Sequence, residues 1–99
     1  MKSLKKLNTK EIQKKMVTLS DWTINTKETE LSKTFLFQNF LSGLAFVAKV
    51  TVHAEIQNHH PDIELSYGKV KVKLSTHDVK GLSQSDFNLA KRIDGIKVA

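Results

Sequence analysis

Residues 62–74 constrain this chain more than any other stretch. Ile63, Leu65 and Tyr67 alternate with Asp62, Glu64 and Ser66, and beyond Gly68 the residues Val70, Val72 and Leu74 alternate with Lys69, Lys71 and Lys73. A period of two sends the two sets to opposite faces of a strand. Folding the halves back across Gly68 sets acids opposite lysines on one face and brings apolar side chains together on the other. Both faces agree on one register, so the stretch reads as an antiparallel hairpin whose apolar side needs a cover.

The rest of the chain supplies a second hairpin and three helices. Asn8 with Glu11 three residues later resembles a capping box, and Ile12, Met16 and Leu19 follow at helical spacing, so a first helix is expected to end near Ser20. Residues 21–25 and 31–37 alternate around the polar segment 26–30 and read as two strands, with Trp22 as a core aromatic. Asn39 is a plausible N-cap for a long helix reaching about Asn58, on which Phe40, Leu44, Val47, Thr51 and Ala54 mark one stripe. Leu41, Ala45, Ala48 and Val52 form a second apolar face, more than one small sheet covers, and self-association through it is expected. Ser83 and Asp86 form a second capping box, Leu82 can staple onto Phe87, Ala90 and Ile93 continue the buried side, and Gly95 can end the helix. The order α-β-β-α-β-β-α with two hairpins predicts an α+β fold, a four-stranded antiparallel sheet with helices packed on one face.

Ninety-nine residues support one domain, 1–99, with no room for a separate cofactor domain. With no cysteine, disulfides and thiolate metal sites are excluded. No apolar run approaches the ~18 residues of a membrane span. The opening Met1-Lys2-Ser3-Leu4-Lys5-Lys6 lacks the apolar region of a secretory signal, and a cytoplasmic location is expected. The net charge of +6 is concentrated at the start, where Lys2, Lys5, Lys6, Lys10, Lys14 and Lys15 face Glu11 alone. Residues 1–7 read as a flexible basic arm on a nearly neutral body, which argues against nucleic acid as a partner.

Three of the four histidines, His59, His60 and His77, fall between Glu55 and Asp86. Pro61 biases His60 towards extended geometry, so His59-His60-Pro61 marks a helix end opening into a loop. Imidazoles titrating near ~6.5 can both give and take protons at neutral pH. Glu55 stands four residues before His59, one helical turn away, and can orient its ring; read alone, such a spacing is more often an ordinary surface pair. His77 follows the second hairpin at Ser75-Thr76, where a lone histidine is more often a plain surface residue. No specific metal-ligand spacing appears, no strand-to-helix elbow surrounds Ser75 or Thr76, and no glycine loop cradles phosphate. What remains is proton transfer without metal or covalent intermediate.

Glu55, His59-His60-Pro61, Tyr67, His77 and Asp86, in this spacing, resemble the signature of the pterin-4a-carbinolamine dehydratases. Leu74-Ser75-Thr76-His77, Gly81-Leu82 and Asp86-Phe87-Asn88-Leu89-Ala90 resemble the family too, as do the place of Trp22 and the Phe35 to Phe40 entry into the long helix; the likeness spans about Asn8 to Asp94. The resemblance implies dehydration of a 4a-hydroxytetrahydropterin to the quinonoid dihydropterin, recycling the cofactor of aromatic amino acid hydroxylases with no further cofactor. It implies His59 and His77 as acid and base, His60 as a positioning group able to exchange roles with one of them, and Glu55 as the orienter of His59. Asp86 caps its helix or contacts the site, Tyr67 packs or binds, and Pro61 shapes the loop. Many relatives carry tryptophan where this chain has Ile63, which removes one aromatic contact to a pterin. The resemblance also implies a homodimer or homotetramer through the 40–58 helix and a sheet edge. Two other readings stay open: a non-catalytic module that binds a transcription factor through the long helix, and a relative acting on another pterin, such as in the molybdenum-cofactor pathway.

Overall fold

The computed structural model describes residues 4–97. The elements are α1 (Thr9–Met16), β1 (Thr23–Ile24), β2 (Leu31–Leu36), α2 (Phe40–Gln57), β3 (Asp62–Ser66), β4 (Lys69–Leu74), a single 3-10 turn at His77–Val79, and α3 (Gln84–Asp94). The strands form one four-stranded sheet in the order β1-β2-β4-β3, with every neighbouring pair antiparallel. The expected class and element order hold.

The hairpin of β3 and β4 has the register its alternation demands. Ile63 lies opposite Val72 and Leu65 opposite Val70, while Asp62 faces Lys73 and Glu64 faces Lys71. Gly68 turns the chain at φ +77°, a left-handed conformation that costs glycine little. On the polar face the Lys73 ammonium sits 2.5 Å from a Glu64 carboxylate oxygen. That hydrogen bond, and then the lysine charge, hold Glu64 below the ordinary carboxylate value. A lowered value means the pair's contribution is present near neutrality and is lost as pH falls through it.

Helices cover the other face. Phe46 and Val50 of α2, with Phe87, Leu89, Ala90 and Ile93 of α3, meet Leu31, Val70, Val72 and Leu74 from the sheet in one core. Trp22 joins this core and donates its indole N–H to Asp94 at 2.9 Å, and Lys33 reaches the other Asp94 oxygen at 2.8 Å. One carboxylate at the end of α3 thereby ties that helix to β2 and to the residue that precedes β1.

Three expectations need correction. α1 stops at Met16, a turn early, with Val17 as its cap. The buried stripe of α2 is Gly43, Phe46, Val50 and Ala54, with Val47 partly covered, whereas Phe40 and Leu44 are each 48% exposed. Apolar residues on all sides of α2 left its phase open; contact distance decides it. A Cβ added at Gly43 would lie 3.1 Å from the Leu65 side chain and 3.4 Å from that of Val70, so at Gly43 the helix lies against the sheet with little room for a side chain. Of the expected basic arm, residues 1–3 lie outside the described residues, but its end is packed. Leu7 is buried and donates its N–H to the Leu82 carbonyl at 2.8 Å.

Phe46 stacks between Phe35 and Phe37, with ring centroids 4.6 and 5.2 Å away. Phe46→Ala is expected to lower stability by about 3–5 kcal/mol, and Phe46→Leu by less than about 1.5 kcal/mol, in urea unfolding. Equal losses would mean that this cluster does not hold α2 to the sheet.

Candidate active site

The site forms where α2 ends beside the continuation of β4. Asn58 closes α2 in the left-handed conformation, φ 52°, and its N–H bonds the Ala54 and Glu55 carbonyls. The reversed chain lets the His59 N–H also reach the Ala54 carbonyl at 3.0 Å, a hydrogen-bonded helix stop. Pro61 cannot continue the helix and leads directly into β3. On the neighbouring segment the inward alternation of Val70, Val72 and Leu74 runs on to Thr76, which is buried and bridges to Gly81.

Asp86 organises what lies beneath. Its carboxylate is fully buried on the first turn of α3, a position the helix dipole favours for a negative charge. Oδ2 accepts the Thr76 hydroxyl at 2.7 Å and the Ser83 N–H at 3.0 Å, and Oδ1 lies 2.6 Å from His59 Nε2. The Thr76 hydrogen is spent on Asp86, so the Ser83 hydroxyl, 2.7 Å away, donates to Thr76. A carboxylate only accepts, so the proton of a neutral His59 sits on Nε2, and Nδ1 keeps its lone pair.

The three expected histidines meet at one recess of about 240 Å³. His59 is the deep one, its side chain 11% exposed, whereas His60 sits at the rim. His77 opens the 3-10 turn opposite, exposed, with no side-chain hydrogen bond to another described residue. Asn58, Ser75, Thr76 and Asp78 supply polar walls, and Leu4 is the one apolar side chain among the lining residues. The lining thus combines a buried imidazole fixed on Asp86, an exposed imidazole and a third held by Glu55. Such a set can take a proton from one atom of a bound molecule and give one to its neighbour.

The structure reassigns Glu55. It holds His60, Nε2 to Oε2 at 2.5 Å, not His59. The left-handed Asn58 breaks the helical four-residue relation, turning His59 inward to α3 and returning His60 over Glu55. Asp86 takes both roles foreseen for it, reaching back to the Ser83 N–H and contacting the site. Tyr67 is 75% exposed at the hairpin turn, at the opposite end of β3 from Pro61. Five residues at ~3.3 Å each separate it from the recess, and the fold does not bring it there. Ile63 packs against the core and is not among the recess lining. Thr76 and Leu4 were missed as separate contributors; the alternation running past Leu74 was the signal for Thr76. Among the described residues, no group of three or more His, Asp or Glu side chains is placed to hold a metal ion.

With this geometry in view, comparison with known proteins gives the family. The family model described as Pterin 4 alpha carbinolamine dehydratase matches residues 5–96. A protein of Nostoc punctiforme that carries the provisional name pterin-4-alpha-carbinolamine dehydratase is 44% identical over 87 residues, 88% of this chain and 91% of that one. A provisionally so-named protein of Rhodospirillum rubrum is 49% identical over 76 residues, covering 77% of this chain and 79% of its own. The crystal structure of a transcriptional coactivator/pterin dehydratase from Brucella melitensis superposes with a TM-score of 0.85 at 26% identity, over 91% of this chain and 96% of that one. The chain belongs to the pterin-4-alpha-carbinolamine dehydratase family.

Thr76→Val keeps the shape and removes the hydroxyl, leaving buried Asp86 one donor short. A loss of about 1–3 kcal/mol in urea unfolding is expected. No loss would show that Asp86 does not depend on Thr76.

Proposed function

We propose that this member of the family dehydrates a 4a-hydroxytetrahydropterin to the quinonoid dihydropterin and water, with its histidines as acid and base. The observation that carries the reading is the Asp86–His59 pair at 2.6 Å at the floor of a recess that also takes in His60 and His77. The reaction moves one proton at each of two adjacent positions. Its N5 proton passes to a base as the N5–C4a double bond forms, the C–O bond at C4a breaks, and the leaving oxygen takes a proton from an acid to become water.

His59 is the base in this account, through the Nδ1 lone pair that Asp86 leaves free, and His77 protonates the leaving oxygen. A second turnover needs only the return of one proton between the two imidazoles through solvent. His60, steadied by Glu55, contacts the bound pterin at the rim. The nitrogen itself expels the oxygen, so the residues have to supply a positioned acid and base, worth about 100- to 10,000-fold. The pterin is the substrate, and no further cofactor takes part. Such a reaction belongs in the cytoplasm beside an aromatic amino acid hydroxylase, whose oxidised pterin it restores.

The exposed face of α2 supports a homodimer or homotetramer. Leu41, Leu44, Val52 and Ile56 are exposed at helical spacing, and the sheet order leaves β1 and β3 as edges. Contiguous apolar surface of this kind marks an interaction site. The same face also suits a non-catalytic binding module, and the reaction itself discriminates between the two.

In a stopped-flow absorbance assay on freshly made 4a-hydroxytetrahydropterin, the wild type is expected to accelerate dehydration. His59→Ala and His77→Ala should each lose about 100-fold or more while still folding. A wild type at the uncatalysed rate refutes the enzyme and favours the binding module. By light scattering at micromolar concentration a dimer or tetramer is expected, with Val52→Asp shifted to monomer; a monomeric wild type contradicts association through α2.

A further inference from the structure

Residues 4–7 run beside the histidine recess, and their course is fixed from one end. Leu7 is buried in the core and donates its N–H to the Leu82 carbonyl at 2.8 Å. The preceding residue lies on Gly81: a Cβ added there would sit 2.8 Å from Lys6 Cε and 3.3 Å from its Cγ, so the missing side chain makes room for the lysine stem. Gly81 is bridged in turn to Thr76, whose N–H bonds the Gly81 carbonyl at 2.8 Å. Gly81 thus links the arm to a wall of the recess. Lys5 reaches Glu11 at 2.7 Å, through the carboxylate oxygen that the capping box of α1 leaves over.

Towards the start of the chain the backbone tethers stop. Among the described residues, the backbone of residues 4–6 takes part in no backbone–backbone hydrogen bond. Leu4 is nevertheless half-buried, and it lines the recess with the three histidines. Three residues span at most about 10 Å, so the anchor at Leu7 keeps Leu4 close to this place. Held at Leu7 and unbonded along its backbone beyond it, the segment can lift at Leu4 at little cost and settle again.

The composition of the recess gives this segment a task. Every lining side chain other than Leu4 is polar or ionisable. Sites for small ring molecules are usually walled mainly by apolar and aromatic groups, and among the described residues this one offers a single such group. We propose that residues 4–7 form a strap that closes over the histidine recess, with Leu4 packed against the ring of the bound pterin, an inference that rests on the dehydratase reading and adds a substrate contact to it. Lifting at Leu4 admits the substrate. Settling again takes apolar area of both the leucine and the ring out of water. Because the closed strap binds the pterin better than the lifted one, the ligand holds the strap down to the same degree that the strap holds the ligand.

Lys5 and Lys6 make the strap directly readable, because trypsin reaches the bonds after them when the segment lifts. The full chain is digested with and without saturating 6-methyl-7,8-dihydropterin, a non-reacting analogue, and the cuts are located by mass spectrometry. The analogue is expected to slow cleavage after Lys5 and Lys6 about threefold or more in the wild type, and not in Leu4→Ala at equal saturation. Leu4→Ala is expected to bind the analogue about three- to tenfold more weakly by fluorescence, and Leu4→Met to restore the affinity, with urea unfolding of both variants as in the wild type. Cleavage unchanged by the analogue in the wild type, full affinity in Leu4→Ala, or an affinity loss that tracks lost stability overturns the proposal. The reaction is scored separately, by dehydration of the 6-methyl carbinolamine. Acceleration without protection and affinity loss leaves the dehydratase and removes the strap; protection and affinity loss without acceleration do the reverse. No pterin binding at all removes both.

Discussion

One buried carboxylate sets the terms for this structure. A charge fully removed from water is tolerable only when its oxygens are occupied, and Asp86 meets that demand from three directions. Thr76 comes from the end of the sheet, Ser83 from the start of α3 and His59 from the end of α2. The end of α2, the end of the sheet and the start of α3 meet where each holds a donor that Asp86 requires. The first turn of α3 adds its dipole to the same end. The contacts that keep Asp86 folded inside therefore also set which nitrogen of a neutral His59 carries the proton.

The fold delivers the remaining groups by simpler means. The sheet places the starts of β2 and β3 on either side of the continuation of β4, so the side chains there share one end of the sheet. The left-handed Asn58 and Pro61 convert the end of α2 into a platform, one histidine turned down to Asp86 and the next out to Glu55. The other end of the hairpin, with Tyr67, lies away from the recess. The apolar outer face of α2, with Leu41, Leu44, Val52 and Ile56, is left exposed by the described residues.

Much of this was legible in the sequence, for physical reasons that differ between elements. The hairpin of β3 and β4 was readable to the residue, because its charges and its apolar set each demand the same register. Capping residues located the starts of all three helices, since orphan N–H groups need acceptors. The phase of α2 was not legible, because apolar residues surround it and the deciding factor, the approach of Leu65 to Gly43, is tertiary. The partner of Glu55 was misread for a related reason. Spacing by four pairs residues only while the chain stays helical, and Asn58 ends that regularity one residue too soon. Thr76 shows the reverse case: its burial follows from the alternation of β4, but its bond to Asp86 depends on where α3 packs.

The pairing of Asp86 with His59 is open to direct measurement on the unmodified protein. Multiple-bond proton–nitrogen NMR of the neutral His59 ring reports which nitrogen carries the proton. The account predicts protonation at Nε2, donated to Asp86, with Nδ1 bare. A ring protonated at Nδ1, or one averaging between tautomers as a free imidazole does, would contradict it.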